Sequence, residues 1–205
     1  TPRTSSAASD VYKRQPLDKA ELEKACNLYI NNKKIALKQF GKIETWDTSY
    51  ITDMSNLFSE HTDFNENISK WNTSNVTNMS GMFYNATNFN QDLNNWDVSK
   101  VQDMSNLFGF AEAFNHSINK WNVKHVTTME AMFNNAKKFT QNISSWNVSR
   151  VTAMNHMFYN AVKFNSPINK WNDSQDTTMK AMFYNATNNN QPINCLLYTS
   201  DAADA

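Results

Sequence analysis

The sequence predicts an α/β repeat solenoid, with one short strand plus one short helix in each 25-residue repeat and an α-helical N-terminal cap. Three observations predict it. The six tryptophans, Trp46, Trp71, Trp96, Trp121, Trp146 and Trp171, are spaced by 25 residues. The ten methionines occupy two phases of that period, Met54, Met79, Met104, Met129, Met154 and Met179 on one, and Met82, Met132, Met157 and Met182 on the other. Every phenylalanine except Phe40 and Phe110 falls on two more, one running from Phe58 to Phe183 and one from Phe64 to Phe164. A fixed period of this length marks an array in which each unit covers the apolar face of its neighbour.

In chain order, residues 1–15 are set aside first. Ser5–Gln15 reads SSAASDVYKRQ and Cys195–Asp204 reads CLLYTSDAAD. A transposase-adaptor sequence used in sequencing libraries encodes the first, and its reverse complement, shifted by one base, encodes the second. Both are read as sequencing-adaptor scars, 1–15 and 195–205, and kept out of the fold argument. Position 196 should carry a seventh Trp and holds Leu196 instead, so the array 43–194 is expected to be a truncated piece of a longer one.

Residues 16–42 lie outside the repeat and are expected to form the helical cap. Asp18 can cap a helix whose apolar residues Leu22, Ala25, Cys26, Tyr29 and Ile30 follow helical spacing. Asn31 and Asn32 break it. Lys33–Phe40 reads as a second helix with Ala36, Leu37 and Phe40 on one face and Gly41 at its C-terminus.

Within the repeat, Ile43, Ile68, Leu93, Ile118, Ile143, Ile168 and Ile193 precede the Trp phase by three residues. With the β-branched Thr48, Thr73, Val98, Val123 and Val148 beyond each Trp, they suggest a short strand. Met79, Met82, Phe83 and Ala86 stand at i, i+3, i+4 and i+7, the stripe of a short helix. Thr52, Thr77, Thr127, Thr152 and Thr177 sit two residues before that stripe, as N-caps would. Parallel stacking at about 4.8 Å would make a rod about 30 Å long with ladders of Trp, Met and Phe for a core. A further column, Asn65, Asn90, Asn115, Asn165 and Asn190, interrupted by Thr140, is expected to satisfy backbone groups at the turn into the next repeat. The last unit departs from the pattern at Asp173, Asp176 and Asn189.

The unit I-x-x-W-x-V-S-x-V-T-x-M-x-x-M-F-x-x-A-x-x-F-N, fullest in 93–115 and 143–165, resembles the BspA-like leucine-rich-repeat surface proteins, also described as mycoplasma lipoprotein-associated repeats. The resemblance covers 43–194. It implies a leucine-rich-repeat-like geometry and an extracellular or cell-surface location, and it carries no catalytic residues with it.

The chemistry of the chain points away from several function classes. Lys and Arg number 19 and Asp and Glu 19, and the adaptor segments take Arg3, Lys13 and Arg14 from one side and Asp10, Asp201 and Asp204 from the other, so the native part stays neutral. That gives no footprint for nucleic acid. No apolar run has the length of a membrane span, so no membrane insertion is expected. The histidines His61, His116, His125 and His156 occupy four different phases without partners at ligand spacing, and glycine occurs only at Gly41, Gly81 and Gly109. No metal, cofactor or catalytic set is expected. Cys26 is the one native cysteine and reads as a small buried hydrophobe.

What varies between copies is the surface. The fourth residue after each Trp runs Tyr50, Asn75, Lys100, His125, Arg150, Gln175, a candidate recognition row. The expectation is a non-enzymatic cell-surface or secreted recognition or adhesion protein that binds a protein or glycan through an extended face. An intracellular protein-interaction scaffold is the alternative. An ice- or carbohydrate-surface binder would rest on the Thr column, which Gln102 interrupts.

Overall fold

The computed structural model describes residues 14–172 and 177–192. It opens with α1 (Lys19–Asn31) and α2 (Lys33–Phe40). The Asp18 carboxylate accepts the Glu21 backbone N–H at 2.8 Å, and the Asn32 side chain does the same for Ile35 at 3.2 Å. These are the side-chain caps that a helix start requires. Gly41, at φ 79°, closes α2. The buried face of α1 is Leu22, Ala25, Cys26 and Tyr29. In α2 only Ala36 and Phe40 are buried; Leu37 is 36% exposed and leaves the face expected for it.

The helical pair lies against the first repeat. Tyr29 meets the Trp46 ring edge-on at 5.8 Å, and Phe40 reaches it at 5.8 Å from another side. The Lys19 ammonium donates to Asp53 at 3.0 Å, which ties α1 to the following turn. A single 3-10 turn, Ile43–Thr45, carries the chain into Trp46.

From there the expected strand and helix of each repeat do not form. Among the described residues there is no strand, and α1 and α2 are the only α-helices. The α/β solenoid of leucine-rich-repeat type is therefore replaced by a stack of turns. Among the described residues its ladder contacts are isolated parallel bridges that join successive repeats along Asp53, Asn78, Asp103, Thr128, Ala153 and Thr178.

The hydrogen bonds explain why the helical stripe is not a helix. In the second repeat Met82, Tyr84 and Ala86 donate three residues back, to Met79, Gly81 and Phe83. The alternate N–H groups, on Met79, Gly81, Phe83 and Asn85, donate to Asp103, Ser105, Leu107 and Gly109 of the next repeat at 2.7–3.0 Å. An α-helix would spend all of these donors four residues back in its own coil. Positive φ recurs at two phases, at Asn56, Gly81, Asn106, Ala131, His156 and Ala181, then at Glu60, Asn85, Phe110, Asn135, Asn160 and Asn185. All but Asn56 stand third in a four-residue turn closed by a backbone hydrogen bond, the position at which a type II turn needs positive φ. Met and Phe still come to one side, because successive turns of this kind bring the same residues inward as a helix would.

The expected strand around Trp fails for a related reason. Asp47, Asn72, Asp97, Asn122 and Asn147, each just after a Trp, accept the backbone N–H two residues on at 2.9–3.4 Å. Asn67, Asp92 and Asn142 repeat this before the Trp at 2.9–3.0 Å. Side-chain oxygens thus take donors that a sheet ladder would use. The threonines have no helix to cap. Instead Thr77, Thr127 and Thr152 donate their hydroxyls to the carbonyls of residues 52, 102 and 127 in the preceding repeat.

The core is the expected set of ladders. Phe58, Phe83, Phe108, Phe133, Phe158 and Phe183 stack at 5.6–5.8 Å between ring centroids. Phe64 to Phe164 form a second stack at 5.9–6.2 Å, and within a repeat the two rings lie as close as 3.8 Å. Every methionine is buried. Each Trp from Trp71 to Trp171 donates its indole N–H to the carbonyl 28 residues earlier, as Trp71 does to Ile43 at 2.8 Å. A buried indole needs such a partner. The Asn column accepts backbone N–H groups between repeats as expected, Asn90 donating to Asn65 and Asn115 to Asn90 at 2.9 Å, and Thr140 to Asn115 at 2.8 Å. Of the departures in the last unit, Asp173 and Asp176 lie outside the described residues. Asn189 stays in a turn, donating its backbone N–H to Ala186.

Candidate recognition surface

The stack offers two surface rows. The first is the one chosen from the sequence. Tyr50 is its most open member, at 70% exposure, and Arg150 is exposed as well. The middle of the row is engaged in holding repeats together. Asn75 donates its amide to the Ser49 carbonyl at 2.8 Å, Lys100 donates to Asn75 at 2.7 Å, and His125 Nδ1 meets the Ser99 carbonyl at 2.6 Å. A carbonyl oxygen can only accept, so Nδ1 carries the proton. Gln175 lies outside the described residues.

The second row went unnoticed in the sequence. Where an inward Phe is followed by an outward aromatic, as in Phe83-Tyr84-Asn85, Phe158-Tyr159-Asn160 and Phe183-Tyr184-Asn185, the turns place the second ring on the outside. Tyr84 packs edge-on against Phe110 at 5.5 Å. Tyr159 and Tyr184 stack at 4.8 Å, with His156 edge-on to Tyr159 at 5.8 Å. The thrice-repeated Phe-Tyr-Asn is the cue, and the expectation of a helix hides it, because adjacent residues of a helix are only about 100° apart and do not face opposite ways.

Beside Tyr84 lies a shallow groove of about 440 Å³, lined by Asn56, Ser80, Gly81, Tyr84, Asp103, Ser105 and Asn106. Gly81 lines it, and Gly109 lies against the Tyr84 ring that borders it. A Cβ on Gly81, at φ 61°, would overlap the Asn56 side-chain oxygen, and one on Gly109 would come within 3.1 Å of the Tyr84 ring. Asp103 accepts the Ser105 backbone N–H at 2.8 Å and also its hydroxyl.

A cleft of about 310 Å³ separates α1 from the first repeat, bordered by Tyr29, Lys33, Glu60, His61, Asp63 and Glu66 among others. The Lys33–Glu66 pair bridges it at 2.6 Å. That hydrogen bond raises the Lys33 pKa, while burial, with the Glu66 carboxylate, raises that of the Tyr29 hydroxyl. The pair thus ties the start of α2 to the first repeat across the cleft. Among the described residues no three of His, Cys, Asp and Glu converge as a metal site would require, and no helix is long and apolar enough to cross a membrane.

A family profile described as "Mycoplasma protein of unknown function, DUF285" matches residues 26–131 and 110–203. No curated protein and no solved structure matches the chain. The chain is a repeat protein and belongs to that family.

Proposed function

We propose that this member of the family is a non-enzymatic recognition protein, secreted or held at the cell surface, which binds a protein or glycan through an extended face of its repeat stack. The observation that carries this reading is the division of labour in the repeat. Ladder residues are spent on the core and on bonds between repeats, while the outward phases change chemistry from copy to copy, as at Tyr50 and Arg150 or Tyr84, Asn134 and Tyr159. Such a surface suits many distributed contacts. The absence of concentrated chemistry from the sequence agrees with a binding role, and the motif that resembles BspA-like surface proteins supports the location.

The test has two arms. The purified chain is passed over arrays of immobilised glycans and extracellular-matrix proteins, and antibody to it is applied to intact and permeabilised source cells. Saturable binding with staining of intact cells is expected. No saturable binding, together with staining only after permeabilisation, would overturn the reading.

A further inference from the structure

We infer that the groove beside Tyr84 is a saccharide subsite that takes a neutral pyranose, with Tyr84 as its platform; this rests on the recognition reading above and names its ligand class. The Tyr84 ring is partly exposed and is held in place by Phe110 on one side and the bare Gly109 beneath it. The C–H bonds on one face of a pyranose carry partial positive charge and pack on the negative face of an aromatic ring. The remaining groove wall supplies what the sugar's hydroxyls need: the carboxylate of Asp103, which accepts, and the amides of Asn56 and Asn106, which can accept through oxygen and donate through nitrogen. Gly81 keeps the space between them open, because any side chain there would meet Asn56.

Charge narrows the class. Asp103 is the only ionisable group of full charge lining the groove, and no cation lines it. A uronic or sialic acid would bring its carboxylate against Asp103, so an uncharged sugar fits better. A second aromatic platform, Tyr159 on Tyr184, stands three repeats further along the same row. At about 4.8 Å per repeat that is about 14 Å away. The two platforms therefore suit an oligosaccharide laid along the stack better than a single sugar.

The test uses the full chain against neutral oligosaccharides (glucan, galactan, mannan and N-acetylglucosamine oligomers), with hyaluronan and a sialylated glycan as charged comparisons and immobilised extracellular-matrix proteins as protein comparisons. Binding to at least one neutral series is expected, with roughly tenfold weaker affinity in Tyr84→Ala and near-native affinity in Tyr84→Phe. Lys34→Ala, on the exposed side of α2 and on neither row, should leave that affinity unchanged. Circular dichroism of Tyr84→Ala checks folding; should that variant unfold, Tyr84→Ser, which places Ser59's residue type at the same phase, replaces it. Neutral-sugar binding that Tyr84→Ala and Tyr84→Ser leave intact would overturn the subsite but keep the recognition reading. Binding only to charged glycans or to matrix proteins would do the same. No binding to any of them would remove both.

Discussion

Single residues in this chain act mainly as hydrogen-bond caps, and that sets how it should respond to pH. The Asp47 and Asp97 carboxyls are held below the usual carboxylate range by the hydroxyl and backbone N–H of Ser49 and Ser99. At Asp53 partial burial favours the neutral form, but the Ser55 N–H and hydroxyl and the Lys19 ammonium outweigh it, and its pKa is also lowered. A depressed folded pKa contributes stability above the unfolded value and loses it as pH falls through the folded one. Thermal stability should therefore decline below about pH 4. The Asp47→Asn, Asp97→Asn double variant should flatten that decline while keeping both turns, since Asn72, Asn122 and Asn147 already make them; melting curves at a series of pH values check this. Cys26 is wholly buried in α1, and burial pushes its thiol pKa far up. A thiol must ionise to react, so a thiol reagent should label it only after denaturation. With Cys195→Ser in place, so that Cys26 is the only thiol, labelling of the native chain at the rate of a free thiol would contradict the packing of α1. These caps meet a backbone N–H two residues on and were legible as an excess of Asn, Asp and Ser, but the backbone partner of Asn75 was not, because it lies 26 residues away.

At the scale of the element, the helices and the repeats differ in how far local sequence decides them. In α1 and α2 the backbone N–H groups find their acceptors within four residues, so the caps at Asp18 and Asn32 and the apolar spacing suffice. In the repeat the same apolar spacing leads to turns, since half of the amides leave for the neighbouring copy. The Asn recurring at these positive-φ places was the readable warning: Asn85, Asn135, Asn160 and Asn185 all have positive φ, a region that Asn tolerates and most residues avoid. Asn160→Ala separates the two architectures. A helix would gain from alanine, the best helix former. The turn loses the tolerant residue at φ 56° and the amide bonds to Asn135 and Asn185, and should be destabilised by about 1–2 kcal/mol. Denaturant titration gives the sign. Thr140→Asn should act the other way. It would keep the backbone bond to Asn115 and restore the side-chain acceptor that Asn65, Asn90 and Asn115 offer to the copy after them, for a gain of about 0.5–1.5 kcal/mol in the same measurement.

For the whole molecule, register is everything. The Phe stacks, the indole bonds and the bridges all connect residues 24 to 28 positions apart. Removing residues 96–120 joins Asn95 to Trp121 and preserves every phase, so a shorter stack should still fold cooperatively. Removing 96–119 instead shifts each later residue by one and should abolish the cooperative transition seen by near-ultraviolet dichroism. Equal behaviour of the two deletions would show that the ladders do not hold the repeats together. The period, the ladder residues, the helical start and the column of Asn acceptors were determined by the sequence alone, because a repeat that must cover its copy can place apolar side chains only at matching phases. The replacement of strand and helix by turns, the second aromatic row and the engagement of Asn75, Lys100 and His125 between repeats were decided only in the tertiary structure. The physical reason is that a backbone amide can bond within its own coil or across to the next copy, and apolar periodicity is the same in both cases.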